Sequence, residues 1–228
     1  LVDAGLAQWG ATLPALFPDL TLDPAWSTTT IEQLMSHTAG ASDRGAVDTP
    51  WLIAAHSATN PVNEQRTALA AKVLAAPPAG KPGQFQYANL NFILAGAAIE
   101  RITRTSWEVA ITDRLFRPLG MASAGFGAPK GDQPWGHRRS PLGVGGLVPV
   151  DPSGIADNPR ALGPAGTAHM TLTDYARFIR LFLTDGGGLL KPETIAHLTT
   201  PQPGAAYALG WGVAAGQAWA RGPQLAHE

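Results

Sequence analysis

A chain of 228 residues can fold as one large domain or two small ones around a sizeable core, and its 45% hydrophobic and 14% charged content excludes a disordered chain. Its net charge of −1 comes without a basic run, which removes the electrostatic ground for a nucleic-acid partner. Cysteine is absent, so disulfides, thiolate metal sites and a cysteine nucleophile are excluded, while cytosol and periplasm fit equally.

In chain order, Leu1-Val2-Asp3-Ala4-Gly5 reads as the last turn of a helix closed by glycine. With no initiator methionine, the chain reads as an internal fragment of a longer protein. Pro14, Pro18 and Pro24 predict an extended connection up to Thr29. Thr30 with Gln33 forms a capping box for a helix that Gly40 stops. Asn60-Pro61 opens a second helix carrying Leu69, Val73 and Leu74, ended by the turn Pro77 to Gly83. The stretch Gln84-Phe85-Gln86-Tyr87-Ala88-Asn89 then runs into a helix from about Asn89 to Arg104 that is apolar around most of its circumference and should be central. Thr105 and Glu108 make another capping box, for a helix that Pro118 closes.

From Gly125 to Met170 no period is sustained, which predicts a binding loop or lid, or short hidden strands. Thr171 caps a helix whose core face is expected to be Tyr175, Phe178, Ile179 and Phe182, and Lys191-Pro192-Glu193 begins a short one. Tyr207 to Ala215 and Gln217 to Leu225 read as strands. No apolar run approaches the roughly 18 residues that span a bilayer.

Tyr87 and Asn89, two apart at a helix mouth, have a plain reading as a wet tyrosine and an N-cap, and a second reading as a catalytic pair. A tyrosine base has an unperturbed pKa of about 10, so a neighbouring cation must stabilise its phenolate. The six histidines are scattered without metal-ligand spacing, and His37 reads as a structural residue bonding nearby backbone. Glu100, Glu108, Asp113 and Asp174 read as solvated charges. No Gly-x-Ser-x-Gly elbow and no phosphate-binding glycine loop occurs.

Five ordered segments carry a resemblance: Thr30 to Gly40 (with Ser36-His37-Thr38-Ala39-Gly40), Tyr87-Ala88-Asn89-Leu90-Asn91-Phe92, Phe116-Arg117-Pro118-Leu119-Gly120-Met121, Gly163-Pro164-Ala165-Gly166 and Leu209-Gly210-Trp211-Gly212. Together they resemble serine β-lactamase-like proteins of the class C type, which include D-Ala-D-Ala carboxypeptidases and esterases. The resemblance implies an α+β fold, here mostly its helical region plus part of the antiparallel sheet, in one domain over 1–228 truncated at both ends. The region from about 30 to 200 would be mostly helical, with the long loop at 125–170, and the C-terminal strands would start at about 207.

The resemblance further implies acyl transfer through a serine ester on a β-lactam, a D-amino-acid peptide or a small ester, with no cofactor or metal. Tyr87 would be general base and acid, Asn89 would hydrogen-bond the substrate amide and a lysine, and His227 would begin a third, substrate-binding motif. No serine here has lysine three residues on, so the Ser-x-x-Lys motif would lie upstream of Leu1, and Glu228 stands where Ser or Thr is usual. The fragment alone should therefore be inactive. The competing reading is a non-catalytic relative that binds peptidoglycan or a protein partner. A monomer without a membrane span, periplasmic or secreted on family grounds, completes the expectation; a cytoplasmic location is compatible with the composition.

Overall fold

A computed structural model describes residues 1–140, 143, 145–203 and 205–214, together with the backbone of 224–226. Its helices are α1 (Leu13–Leu16), α2 (Ile31–Met35), α3 (Thr49–Ser57), α4 (Val62–Leu74), α5 (Asn89–Thr103), α6 (Trp107–Ile111), α7 (Gly163–Gly166), α8 (Leu172–Leu183) and α9 (Pro192–Thr199). Three two-stranded antiparallel sheets join them. β1 (Gly125–Phe126) pairs with β4 (Ala168–His169), β2 (His137–Arg139) with β3 (Leu147–Pro149), and β5 (Gly212–Ala214) with β6 (Gln224–Ala226). The fold is thus α+β and mostly helical. No helix among the described residues is long and apolar enough to cross a membrane.

Helix α5 is the axis of the core. Leu90, Ile93, Leu94, Ala97 and Ala98 are buried on it, surrounded by Leu13, Phe17, Trp26, Leu34, Leu69 and Leu74 from α1, α2, α4 and a 3-10 turn at Pro24–Trp26. Each such Leu or Ile contributes about 1.5–3 kcal/mol by leaving water. The run Ala95-Gly96-Ala97-Ala98 keeps the surface of α5 thin enough for α7 to lie against it. A Cβ on Gly96 would stand 2.2 Å from Cγ of Pro164. Alanine normally gains about 1 kcal/mol over glycine inside a helix, but here the overlap with a proline ring outweighs that preference.

The C-terminal half of α5 is fixed by charge. Arg66 on α4 is fully buried; it donates to Glu100 (2.5 Å) and Glu108 (2.5 Å), and to the carbonyls of Ala161 (3.0 Å) and Arg160 (2.7 Å). Glu100 also accepts the backbone N–H of Trp107 at 3.0 Å, which ties α5 to the first turn of α6. Burial opposes ionisation of Glu108, but the hydrogen bonds and charge of Arg66 outweigh it and hold that carboxyl below its usual range.

Several sequence expectations are corrected here. Glu100 and Asp174 are buried rather than solvated; Asp174 accepts the backbone N–H of Ser123 at 2.7 Å and its hydroxyl at 2.5 Å. Ser106, not Thr105, caps α6, which frees Glu108 for Arg66. Asp48 and Pro50 start α3, a helix with no buried residue, so its pattern carried no apolar face. A short α1 interrupts the connection expected to be extended. At 125–170 the reading as one long loop gives way to the other expectation, short strands: the described residues there contain β1, β2, β3 and β4, with a 3-10 turn and α7 besides. On α8, only Asp174 and Leu181 are buried; Tyr175 is exposed, and Phe178 and Phe182 are partly covered by Trp211, at 6.2 and 4.6 Å between rings. The capping box of Thr30 with Gln33, and the Thr171 cap, form as expected.

Replacing Arg66 with methionine strands two carboxylates and two carbonyls that now share one cation. An R66M chain should lose about 3–5 kcal/mol of unfolding free energy. Urea titration followed by circular dichroism measures this, and a loss below 1 kcal/mol would remove the network from its structural role.

Candidate active site

The polar pair at the mouth of α5 is positioned by the loop that follows α2. His37 closes that helix with φ 58, in the left-handed region. From there the chain runs beside the segment leading to Tyr87: Gly83 N–H donates to Thr38 C=O, Gln86 N–H to His37 C=O, and Gly80 N–H to Gly40 C=O, each at 2.8 Å. Gly40 combines φ 77 with an approach so close that a Cβ would lie 2.9 Å from the nitrogen of Pro82. Only glycine fits both demands.

Asn89 is the first residue of α5, and Ala88 occupies the capping position without a side chain able to cap. The expected Asn89 N-cap is therefore corrected. Asp43, 46 residues earlier in sequence, supplies the cap instead. Its carboxylate accepts Asn89 N–H at 3.0 Å, Leu90 N–H at 2.9 Å and the Asn89 side-chain amide at 2.8 Å. A carboxylate at this end also meets the positive pole of a 15-residue helix. Because Asp43 only accepts, Nδ2 of Asn89 must face it. The carbonyl oxygen and one amide hydrogen of Asn89 remain for a ligand.

Tyr87 is 51% exposed, yet its ring lies 4.6 Å from the fully buried ring of His37, tilted by 38°. Phe85, Phe92 and Tyr207 complete the surroundings of His37, at 5.9, 5.3 and 5.1 Å. Nδ1 of His37 lies 2.9 Å from Nδ2 of Asn91 and 3.4 Å from the backbone nitrogen of Ala88. A backbone N–H can only donate, so Nδ1 accepts, and the neutral ring carries its proton on Nε2. Burial lowers the pKa of His37 to about 4, against a smaller opposing pull from the Asp43 carboxylate.

Of the residues singled out in the sequence, Tyr87 and Asn89 thus share one corner with His37, Asp43 and Asn91. His227 lies outside the described residues. Sequence reasoning gave His37 a backbone contact but not its place against Tyr87, and it missed Asp43 altogether. The signal for His37 was the left-handed exit that Ser36-His37-Thr38-Ala39-Gly40 makes from a capped helix; Asp43 carried none, because its partners are long-range.

Compared with known proteins, residues 1–225 match the family model described as Beta-lactamase. Penicillin-binding protein 4 of Amycolatopsis lactamdurans is 30% identical over 193 residues, which is 82% of this chain and 47% of that protein. The chain therefore spans about half the length of this curated relative. Among solved structures, the octameric penicillin-binding protein homologue of Pyrococcus abyssi matches with TM-score 0.70 at 24% identity, over 94% of this chain and 49% of that one. The D-amino acid amidase of Ochrobactrum anthropi SV3, complexed with D-phenylalanine, matches with TM-score 0.68 at 18% identity, over 99% and 64%. A D-stereospecific amidohydrolase from Streptomyces sp. matches with TM-score 0.71 at 22% identity, over 93% and 65%.

Two outcomes follow from this geometry. An Asp43→Ala chain should lose about 1–2 kcal/mol in denaturant unfolding, because two N-terminal amides of α5 lose their acceptor; the Asn89 side-chain amide resonances should shift with it. Second, an unfolded histidine takes up a proton near pH 6.5, which the folded His37 resists until about pH 4. The stability that neutral His37 contributes is therefore complete above pH 6.5 and falls as pH drops from there to about 4, by on the order of 3 kcal/mol. Unfolding free energies measured across that window should show the slope in the parent chain and a reduced slope in His37→Asn.

Proposed function

The chain belongs to the Beta-lactamase family, whose model matches residues 1–225, and from that membership we propose that it carries the proton-transfer side of a serine hydrolase. The reaction is acyl transfer through a serine ester, on a β-lactam, a D-amino-acid peptide or amide, or a small ester. The observation that supports it best is the pairing of a half-exposed Tyr87 with an Asn89 whose amide is oriented by Asp43.

In this reading Tyr87 acts as its phenolate, stabilised by the lysine of the same outlying motif as the serine; the serine oxygen attacks the acyl carbon, and its proton passes to that phenolate Oη. Tyr87 then returns the proton to the departing nitrogen or oxygen. Water repeats the sequence on the acyl-enzyme, with Tyr87 as base and serine as leaving group. Asn89, with Nδ2 held on Asp43, presents its carbonyl oxygen to a lysine ammonium or a substrate N–H. The second hydrogen of the same amide serves a substrate carbonyl.

No serine in the sequence has lysine three residues on, so the reading assigns the nucleophile to sequence outside residues 1–228. His227 as the start of a substrate-binding motif belongs to the same proposal, as do a single domain and a periplasmic or secreted location. A monomer is the proposed working unit, although the Pyrococcus abyssi relative is octameric. The D-amino-acid amide class is favoured by the D-amino acid amidase and D-stereospecific amidohydrolase among the structural relatives. The exposed Phe85 ring, packed 5.4 Å from Tyr207 on the same cluster, gives an apolar substituent a surface to lie on.

The experiment is covalent labelling of the whole gene product by a fluorophosphonate and a fluorescent penicillin, followed by turnover of D-phenylalanine amide, a chromogenic cephalosporin and a p-nitrophenyl ester. Labelling should occur, and Tyr87→Phe should cut turnover by about 10²–10⁴-fold while leaving the fold intact. A whole product that neither reagent labels would turn the reading toward a non-catalytic binding protein.

A further inference from the structure

His37 touches the catalytic candidate in three ways at once. Its carbonyl accepts the N–H of Gln86 at 2.8 Å, its Nδ1 faces the N–H of Ala88 at 3.4 Å, and its ring packs 4.6 Å from that of Tyr87. The residues on either side of Tyr87 are thus held by one residue, which also supports the face of its ring. The left-handed backbone of His37 lets main chain and side chain serve the same short segment. Asn91, fully buried in the first turn of α5, directs its Nδ2 to the same Nδ1 at 2.9 Å. Two N–H donors therefore converge on one lone pair, and a protonated Nδ1 would face both of them as a third donor.

We propose that His37 is the positioning residue for Tyr87, and that it holds the phenol only while its ring is neutral and Nδ1 is free to accept. The inference deepens the proton-transfer reading of Tyr87 and rests on it for its functional meaning. His37 does not touch substrate; it acts through the segment Gln86-Tyr87-Ala88. The titratable groups around it are the Asp43 carboxylate, whose charge favours its protonated form, and the phenols of Tyr87 and Tyr207. Phe85, Phe92 and Asn91 bring no charge, and Nε2 has no hydrogen-bond partner among the described residues. A second proton on the ring would thus enter a mostly aromatic enclosure, in line with the lowered pKa of about 4. Tyr87 would be released on the acid side by a group other than itself.

The test is nuclear magnetic resonance on this chain, labelled with ¹⁵N and ¹³C, and it needs no catalytic activity. At pH 7 the long-range ¹⁵N spectrum of His37 should show Nε2 protonated and Nδ1 bare. On acidification, the Ala88 amide and the Tyr87 ring signals should move together with His37, at a midpoint near 4. His37→Asn accepts a left-handed backbone and places an oxygen acceptor near the position of Nδ1. In that variant the Ala88 amide should keep its downfield position and the acid step should vanish. In His37→Ala the Tyr87 ring, without the imidazole it packs on, should show averaged ring signals at neutral pH; if alanine unfolds the chain, the asparagine variant and the tautomer decide alone. A proton on Nδ1 at pH 7, Tyr87 and Ala88 signals that ignore the titration of His37, or an acid step that survives in His37→Asn would each overturn the inference. A whole protein that no acylating reagent labels would sink the hydrolase reading while leaving these signals as they are.

Discussion

The buried guanidinium of Arg66 is the constraint on which the rest of the helical assembly depends. It reaches three segments from one point: Glu100 on α5, Glu108 on α6, and the carbonyls of Arg160 and Ala161 just ahead of α7. A cation wholly out of water is tolerable only when its donors are matched, and here all three guanidinium nitrogens have acceptors. Replacing such a cluster by hydrocarbon need not destabilise a protein, so its value is better sought in specificity than in energy. Apolar packing alone is non-directional and leaves the register of α4, α5 and α6 less sharply defined. The planar fork of Arg66 admits one arrangement.

With its C-terminal half fixed in this way, α5 acts as a rigid beam, and the polar pair sits at its other end. That end is fixed by charge as well, through the Asp43 carboxylate on the Asn89 and Leu90 amides. The two anchors differ in burial. Arg66 is fully enclosed and ties helix to helix, whereas Asp43 is half-buried and ties a loop to a helix end. The proposed role of this corner, to admit substrate, is incompatible with sealing it as the Arg66 cluster is sealed. A half-buried carboxylate on backbone amides gives position without closing the mouth of the helix.

What could be read from the sequence follows from how local each signal is. The caps at Thr30 and Thr171 are formed by residues three apart and were legible, as was the central role of α5 from its all-round apolar circumference. The candidate pair Tyr87 and Asn89 was legible because both lie within three residues at a helix mouth, and the family was legible from five ordered segments. The charges were misread because exposure is not a local property: Glu100 looks like any acidic residue near the end of a helix until Arg66, 34 residues away in sequence, is brought beside it. Asp43 was invisible for the same reason. The hydrophobic face of α8 was read correctly as a pattern and wrongly as core, since periodicity gives a direction and says nothing of what lies in it.

The environment of Tyr87 is divided in a way that fits the proton-transfer role proposed for it. One face of the ring rests on a buried, neutral imidazole, and half of the residue's surface is open to solvent. A tyrosine buried on both faces would be well placed but unable to meet a substrate, and one free on both faces would spend its time in other rotamers. Support on one side restricts the rotamer freedom while leaving half of the residue open to solvent. The support must itself be uncharged, because a cationic ring would be a third donor against the Ala88 and Asn91 N–H groups that hold it. Burial of His37 among Phe85, Phe92 and Tyr207 meets that demand by penalising the extra proton. The aromatic character of the stretch before α5 thus helps to keep the histidine beneath Tyr87 neutral.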